Sequence, residues 1–236
     1  MSTNSPQPPA RRWPWLIGGM LAVAALIVAI LLVRTSTAEQ TAPVATSSAT
    51  PAGPSPAETL SLTPDPVADA APTGCLGGPG RDAAMVLSTV EKAPHTSNGA
   101  VEVAASLVRW ISQYPVASAE EVAVVQNLAV ASDSAIVLSD GMASTANLSG
   151  GAVADGAPFY VSTAPGVWDL TSAVSETVTV VVGTGLVEDG VLSSTQRQSV
   201  SMTMQWENDG WKLLASSGSP SVSSLFTTGT AFTGGC

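Results

Sequence analysis

Basic residues and histidine are scarce in this sequence. Its 236 residues include 8 Lys and Arg against 18 Asp and Glu, with one His, so the formal net charge is −10 at pH 7. A nucleic-acid-binding domain needs a basic surface that displaces counterions from phosphates. The acidic balance therefore argues against nucleic acid as a partner.

Metal-ligating and nucleophile-activating residues are also few. Two Cys and one His are too few for a four-cysteine iron–sulfur cluster or for most zinc sites. The chain has no Gly-x-Ser-x-Gly motif, and a Ser-His-Asp triad would have to use His95. We therefore predict no catalytic residues, no metal site and no cofactor. We expect a helix-capping or packing role for His95, which precedes a predicted long helix.

Charge is absent from one long apolar stretch near the N-terminus. Residues 13–33 have no charged side chain. As a helix they would reach about 31 Å, enough to cross a bilayer. Arg11 and Arg12 precede the stretch, and basic residues favour the cytoplasmic side. We predict a cytoplasmic tail at 1–12, a single transmembrane helix at 13–34 in the plasma membrane, and an outer location for the rest.

A cleaved signal peptide is the alternative interpretation of the same stretch. The small residues at 36–38 resemble a signal-peptidase site. A retained anchor fits better, because the apolar run is longer than the core of a typical signal peptide and Arg34 follows it directly.

The segment after the predicted helix has no aromatic residue. Residues 35–74 contain 9 Ala, 8 Thr, 7 Pro and 5 Ser, together 29 of 40 positions. Such a segment cannot bury enough apolar area to offset the entropy of ordering it. We predict a disordered Pro/Ala/Ser/Thr-rich linker that holds an outer domain, residues 75–236, away from the membrane.

The only two cysteines, Cys75 and Cys236, stand at the two ends of that domain. An oxidising compartment outside the membrane permits a disulfide between them. Closing so long a loop would stabilise the fold by about 5 kcal/mol in the chain-entropy model. Two free thiols, or a bridge between two chains, are the alternatives to the intramolecular disulfide that we predict.

The first half of the domain has the residue spacing of helices. Ser97 or Asn98 is the expected N-cap of a long helix. Ser118 and Glu121 form a capping-box pattern at the start of another. Besides this capping-box helix, the apolar spacing predicts helices at 81–92, at 99–113 and within 134–146.

The second half has the patterns of strands. Asn208-Asp209-Gly210 predicts a hairpin turn. Strict alternation before it predicts a strand at 199–206 that places on one face Val200, Met202, Met204 and Trp206. Other strands are predicted at 159–163, 174–183 and 211–214, and loop at 216–236. Helices followed by an antiparallel meander indicate an α+β domain.

Three further motifs are interpreted as structural. The glycine-rich stretch 74–81 lacks the Gly-Lys-Ser/Thr of a phosphate-binding loop and fits a plain turn. Glu120 and Glu121 suit the first turn of a helix. Tyr114 and Tyr160 are the only tyrosines, and their spacing pairs neither of them with an acid.

Two segments of the domain carry a resemblance to a known family. The segment 206–213, Trp-Glu-Asn-Asp-Gly-Trp-Lys-Leu, follows an early helix that opens at 95–101, His-Thr-Ser-Asn-Gly-Ala-Val. This arrangement is similar to nuclear transport factor 2-like domains, in which a bent antiparallel sheet wraps around helices to form a cone. With the anchor and the linker, the chain resembles actinobacterial bitopic proteins of conjugative elements, a group that resembles TcpC and the cone-shaped inner-membrane component of type IV secretion channels.

The resemblance implies a scaffold without catalytic residues. It predicts a non-enzymatic membrane protein whose outer domain binds other membrane or secretion-channel proteins and forms homo-oligomers. Trp168, in a predicted loop after Pro165 and Gly166, is the candidate partner contact, because exposed tryptophan is enriched in interface hot spots. Two other functions stay open: a small-ligand-binding or sensory domain with a pocket in the cone, and an accessory protein of a lipid-uptake system.

Overall fold

The computed structural model describes residues 69–143, 147–218 and 220–236. The predicted cytoplasmic tail, the transmembrane helix and its signal-peptide alternative lie outside these residues, as does the predicted linker up to residue 68. Within the described ranges, none of the helices combines the length and the apolar character that crossing a membrane requires.

The described residues form the predicted α+β domain, in which most helices precede the sheet. The helices are α1 (Ala83–Lys92), α2 (Ser97–Ile111), α3 (Ala119–Ala129), α4 (Leu138–Ala143) and α5 (Val222–Thr228). The strands are β1 (Gln113–Tyr114), β2 (Phe159–Val174), β3 (Thr177–Glu188), β4 (Val191–Glu207), β5 (Gly210–Ser217) and β6 (Thr230–Ala231).

The sheet is antiparallel and curls into a half-barrel. Its strands follow the order β1-β2-β3-β4-β5, and β6 also pairs with β2. Two tight hairpin loops have positive φ at both positions, at Asp189-Gly190 and at Asn208-Asp209. This is the geometry of a type I′ turn, whose twist matches that of the paired strands. The hairpin predicted at 208–210 is confirmed.

The helix starts depend on local capping. The capping box between Ser118 and Glu121 is present at the start of α3, as predicted. Helix α2 is capped by Thr96, whose Oγ1 accepts a hydrogen bond from the backbone N–H three residues later at 3.1 Å. The predicted cap at Ser97 or Asn98 is therefore wrong, because Thr96 is the last residue with an extended backbone and both later residues already belong to the helix.

Strands β2 and β4 are much longer than the predicted strands at 159–163 and 199–206. Strand β2 continues to Val174, and β4 begins at Val191. Both strands pair with β3 along most of its length. This long-range pairing stabilises the extended conformation even at residues with a weak strand preference. The predicted alternation in β4 is confirmed, because the main hydrophobic cluster contains or contacts Val200, Met202, Met204 and Trp206.

Helix α2 packs against the inner face of the curled sheet. Its residues from Gly99 to Trp110 are all buried. On the sheet side, Val178, Val180 and Val182 of β3 are at most 1% exposed. The side chains of α2 and of the inner face belong to one hydrophobic cluster. The space inside the half-barrel is therefore occupied by packed side chains.

The outer edge of β5 is covered by the chain that follows α3. The backbone N–H of Ala131 donates to the carbonyl oxygen of Leu213 at 2.9 Å. The hydroxyl of Ser134 donates to the carbonyl oxygen of Leu214 at 2.6 Å. Covering an edge in this way hinders the addition of a foreign strand.

The C-terminal segment, predicted as loop, contains helix α5 and strand β6. Leu225 of α5 packs with Val167 and Val181 in a second, smaller cluster on the outer face of the sheet. A Cβ atom at Gly183 would lie 2.9 Å from both Leu225 and Phe226, so a glycine allows this close approach. The prediction is wrong because so short a helix depends on this tertiary packing, which leaves little periodicity in the sequence.

The predicted disulfide joins Cys75 to Cys236, with their Cα atoms 5.7 Å apart. The backbone of Cys236 is held beside β2, because its N–H donates to the hydroxyl of Thr163 at 3.1 Å and its oxygen accepts from the N–H of Thr163 at 3.1 Å. Thr73, near the end of the predicted linker, donates through its hydroxyl to Glu102 Oε1 at 2.8 Å. Both ends of the domain therefore meet at one place.

Candidate functional site

Trp168, the candidate partner contact, lies in strand β2 and not in a loop. It pairs with Val182 on one side and Thr230 on the other. Pro165 and Gly166, which suggested a loop, lie at a register shift within the strand. The indole is half-buried against the main cluster, and its Nε1 has no hydrogen-bond partner among the described residues. Its contact with a partner stays a prediction.

His95 packs against two tryptophans of the β4–β5 hairpin. Its ring lies flat on Trp206, with centroids 4.1 Å apart, and meets the edge of Trp211 at 5.6 Å. Its Nε2 is 3.1 Å from the carbonyl oxygen of Ser175 and 3.6 Å from a carboxylate oxygen of Glu176. The ring therefore connects the loop before α2 with the β4–β5 hairpin and with the turn between β2 and β3. This agrees with the packing role expected for it.

The glycine-rich turn before α1 wraps around a buried guanidinium. Arg109 on α2 is fully buried, and its Nη2 donates to the carbonyl oxygens of Gly78 at 3.1 Å and Gly80 at 2.9 Å. Burial, and then repulsion from Arg81, lower the pKa of Arg109 to about 10, while the charge of Glu102 opposes that shift. The turn therefore has a structural role, and sequence reasoning missed the cation inside it.

A polar pocket of about 390 Å³ lies between Arg81 and the disulfide. The guanidinium of Arg81 stacks on Tyr160, 4.1 Å from the ring centroid, and its Nη2 donates to the carbonyl oxygen of Val161 at 3.1 Å. Burial lowers the pKa of Arg81, and the described residues place no carboxylate in an ion pair with it. The pocket therefore contains a partly buried cation that forms no ion pair with a carboxylate of the described residues.

The larger concave surface is an apolar groove of about 560 Å³ between α3, α4 and the chain that leads into α3. From α3, one side of the helix contributes Ala119, Val122, Ala123, Gln126 and Asn127. The other walls are formed by Val116, Ala117, Val137, Ser139, Met142 and Ala143. The lining has no charged side chain.

Gln126, one of the polar residues that line the groove, is already hydrogen bonded. Nε2 of Gln126 donates to the carbonyl oxygen of Ile136 at 3.0 Å, and its Oε1 accepts from the N–H of Leu138 at 2.8 Å. Gln126 thus holds α4 at a fixed distance from α3. Apart from its few polar residues, the groove presents mainly methyl and methylene groups.

Large apolar side chains at the groove are in contact with water. Val116 is 37% exposed and Val137 is 52% exposed, and both line the groove. Leu128 on α3 is also 52% exposed, but it does not line the groove. Contiguous exposed apolar surface in a soluble domain marks an interaction site, whereas a single exposed leucine needs no explanation.

Two exposed acidic residues directly follow groove-lining residues in the sequence. The sequence has no Lys or Arg between Arg109 and Arg197. Glu120 directly follows the lining residue Ala119 on α3, and Asp140 directly follows the lining residue Ser139 on α4. Both carboxylates are exposed.

Sequence reasoning did not find the groove, although α3 carries a signal for it. The core-facing residues of α3 are Val122, Val125 and Ala129. Ala119 and Ala123 add exposed, small apolar side chains beside that stripe, and both line the groove. Apolar side chains outside the core-facing stripe indicate a second apolar surface on the helix.

Among residues 69–143, 147–218 and 220–236, no three His, Cys, Asp or Glu side chains are grouped as a metal ion would require. No family model, no curated protein and no solved structure matches the chain. Function is therefore inferred from the groove, from the Arg81 pocket and from the resemblance of the sequence.

Proposed function

We propose that this chain is a non-enzymatic, single-pass membrane protein whose outer domain binds other proteins in a conjugative or type IV secretion-like apparatus. The domain lies outside the plasma membrane at the end of the linker, and the N-terminus is cytoplasmic. The observation that carries the proposal is the apolar groove of about 560 Å³ beside α3.

The groove supports a binding role because its exposed apolar side chains have no evident structural task. A partner that covers Val116 and Val137 would remove them from water, and burial contributes about 25 cal/mol for each Å² of apolar surface. The covered edge of β5 makes strand addition there a poor alternative. The side chains of the groove are therefore the better candidate interface.

The fold and the disulfide are consistent with this proposal. A half-barrel sheet around a central helix is compatible with the nuclear transport factor 2-like cone that the resemblance implies. The Cys75–Cys236 disulfide suits an oxidising compartment, which agrees with a domain outside the membrane. A ligand pocket inside the cone has less support, because the inner face of the sheet is packed against α2.

The test is chemical crosslinking of the tagged full chain in native membranes, followed by affinity purification and mass spectrometry. We expect to recover a secretion ATPase or other channel proteins with the wild type. Val137→Asp should reduce that recovery, whereas Leu128→Asp, equally exposed but outside the groove, should not.

Two results would contradict the proposal. Recovery of the chain alone, with the crosslinker shown to act on a control complex in the same membranes, removes the assembly role. Recovery of lipid-uptake proteins in place of channel proteins assigns the chain to that system instead.

The Arg81 pocket favours one alternative, a domain that binds a small anionic ligand. Its partly buried guanidinium has no carboxylate in an ion pair with it among the described residues, and carboxylates or phosphates match a guanidinium well. A thermal-shift screen with small dicarboxylates and inorganic phosphate tests this. A rise in melting temperature that Arg81→Gln abolishes supports the alternative, and the absence of any shift removes it.

A further inference from the structure

The groove is better suited to a helix than to a strand. The main-chain groups of α3 are hydrogen bonded within the helix. The side chain of Gln126 is hydrogen bonded to the main chain of Ile136 and Leu138, so these groups are not free to bind a strand. A bound strand would bring main-chain N–H and C=O groups into an apolar surface that offers them few partners. A helix satisfies its own main chain, so only its side chains need to match the groove.

The helix that forms one wall of the groove is long enough to pack against two turns of a bound helix. Helix α3 has 11 residues, which corresponds to a length of about 16 Å. Anchor side chains at i, i+3 or i+4, and i+7 of a partner helix span about 10 Å. Ala119 and Ala123 line the groove one turn apart on α3, and their small side chains let a second helix approach closely.

The acidic residues next to the groove-lining residues favour a partner with positive charge. Glu120 and Asp140 lie beside lining residues, and the chain from residue 110 to residue 196 supplies no basic side chain to neutralise them. A second copy of the domain would bring like charges, because residues 75–236 contain 14 acidic and 5 basic residues. Facing like charges oppose association, and facing opposite charges favour it.

We propose that the groove binds a helix of a partner protein that is apolar on one face and carries Lys or Arg beside that face. This inference rests on the proposed assembly function and specifies the chemistry of its interface. The apolar face fills the groove against Val137 and Met142, and the flanking basic side chains lie near Glu120 and Asp140.

The experiment places a photocrosslinking amino acid in the full chain in native membranes. p-Benzoylphenylalanine at Val137 reports on the groove, and the same residue at Leu128 reports on an equally exposed position outside it. After irradiation, mass spectrometry identifies the crosslinked peptide. We expect a peptide from another protein at Val137 only, with apolar residues three or four apart and Lys or Arg beside them.

Charge reversal tests the electrostatic part of the inference. Glu120→Lys combined with Asp140→Lys should lower the crosslinking yield at Val137 about fourfold, as expected for the loss of two exposed ion pairs. The matched control, Glu91→Lys combined with Asp169→Lys, changes the net charge equally at exposed positions away from the groove. Thermal melting of all variants verifies that each remains folded.

The results separate this inference from the proposed function. An acidic or uncharged peptide at Val137, a peptide from this chain itself, or equal yields in both charge-reversed variants overturns the basic-helix inference and leaves the assembly role standing. Crosslinks at Leu128 without any at Val137 also overturn the basic-helix inference and leave the assembly role standing. The absence of a partner at both positions and in affinity purification overturns both.

Discussion

His95 lies flat on Trp206, with ring centroids 4.1 Å apart and ring planes 7° from parallel. His95 lies before α2, and Trp206 is the last but one residue of the long strand β4. This stack therefore joins the helical half of the domain to the β4–β5 hairpin.

Replacing His95 should weaken that junction. We expect His95→Ala to lower the free energy of unfolding by about 1 kcal/mol, because a stacked aromatic pair contributes roughly that amount. His95→Phe should retain most of the stability, since its ring can occupy the same place. Urea denaturation measures both. Equal losses in the two variants would assign the stability to the Nε2 contacts with Ser175 and Glu176 instead of to stacking.

Glu207 should make the fold sensitive to acid. Its Oε2 accepts a hydrogen bond from the N–H of Ser132 at 2.9 Å, and its Oε1 lies 3.8 Å from Lys212 Nζ. The backbone hydrogen bond, and then the Lys212 charge, lower the pKa of Glu207 in the folded state. Its stabilising contribution is therefore complete above the pKa in the unfolded chain, about 4.3, and is lost as the pH falls through the folded-state pKa.

The measurement is urea denaturation of wild type and Glu207→Gln from pH 7 to pH 3. The variant should be less stable at pH 7, and the difference should shrink towards pH 3. Glu91→Gln, at an exposed position on α1, serves as the control. A constant difference between variant and wild type across this range would contradict the assignment.

Most of the features that could be predicted from the sequence depend on neighbouring residues, whereas most of those that depend on distant contacts could not. The Cys75–Cys236 disulfide is the long-range exception, because the sequence has only two cysteines. The capping box at Ser118 and the turn at Asn208 involve residues at most three apart, so both patterns are visible in the chain. Trp168 follows a Pro-Gly pair that signals a loop, but pairing with β3 extends β2 across it. The groove needs α3 and α4 to be placed side by side, and no local pattern determines that distance.

Gly183 should be needed for α5 to pack on the sheet. A Cβ atom there would lie 2.8 Å from Val167 and 2.9 Å from Leu225, so Gly183→Ala should cause overpacking that lowers the free energy of unfolding by about 1–3 kcal/mol. Hydrogen exchange should show faster opening of α5. Gly218→Ala is the control, since no heavy atom lies within 4 Å of its added Cβ. Equal effects at both positions would contradict this role.

Arg109 should stabilise the glycine-rich turn even though its burial is unfavourable. Arg109→Met removes the donor to the carbonyl oxygens of Gly78 and Gly80, and each buried unpaired group costs about 1–3 kcal/mol. Removing a buried charge offsets part of that loss. We expect a net decrease of about 2 kcal/mol in the free energy of unfolding, measured by urea denaturation. A variant more stable than wild type would mean that desolvation outweighs the hydrogen bonds.

The Cys75–Cys236 disulfide turns the domain into a covalent ring, since the main chain from 75 to 236 is closed by one pair of sulfur atoms. A protease that cuts one surface connection, such as 147–158, opens this ring but releases no fragment. The nicked molecule keeps its linker on one side of the cut and its groove in the same covalent unit. Only a second cut, or reduction of the disulfide, could divide it.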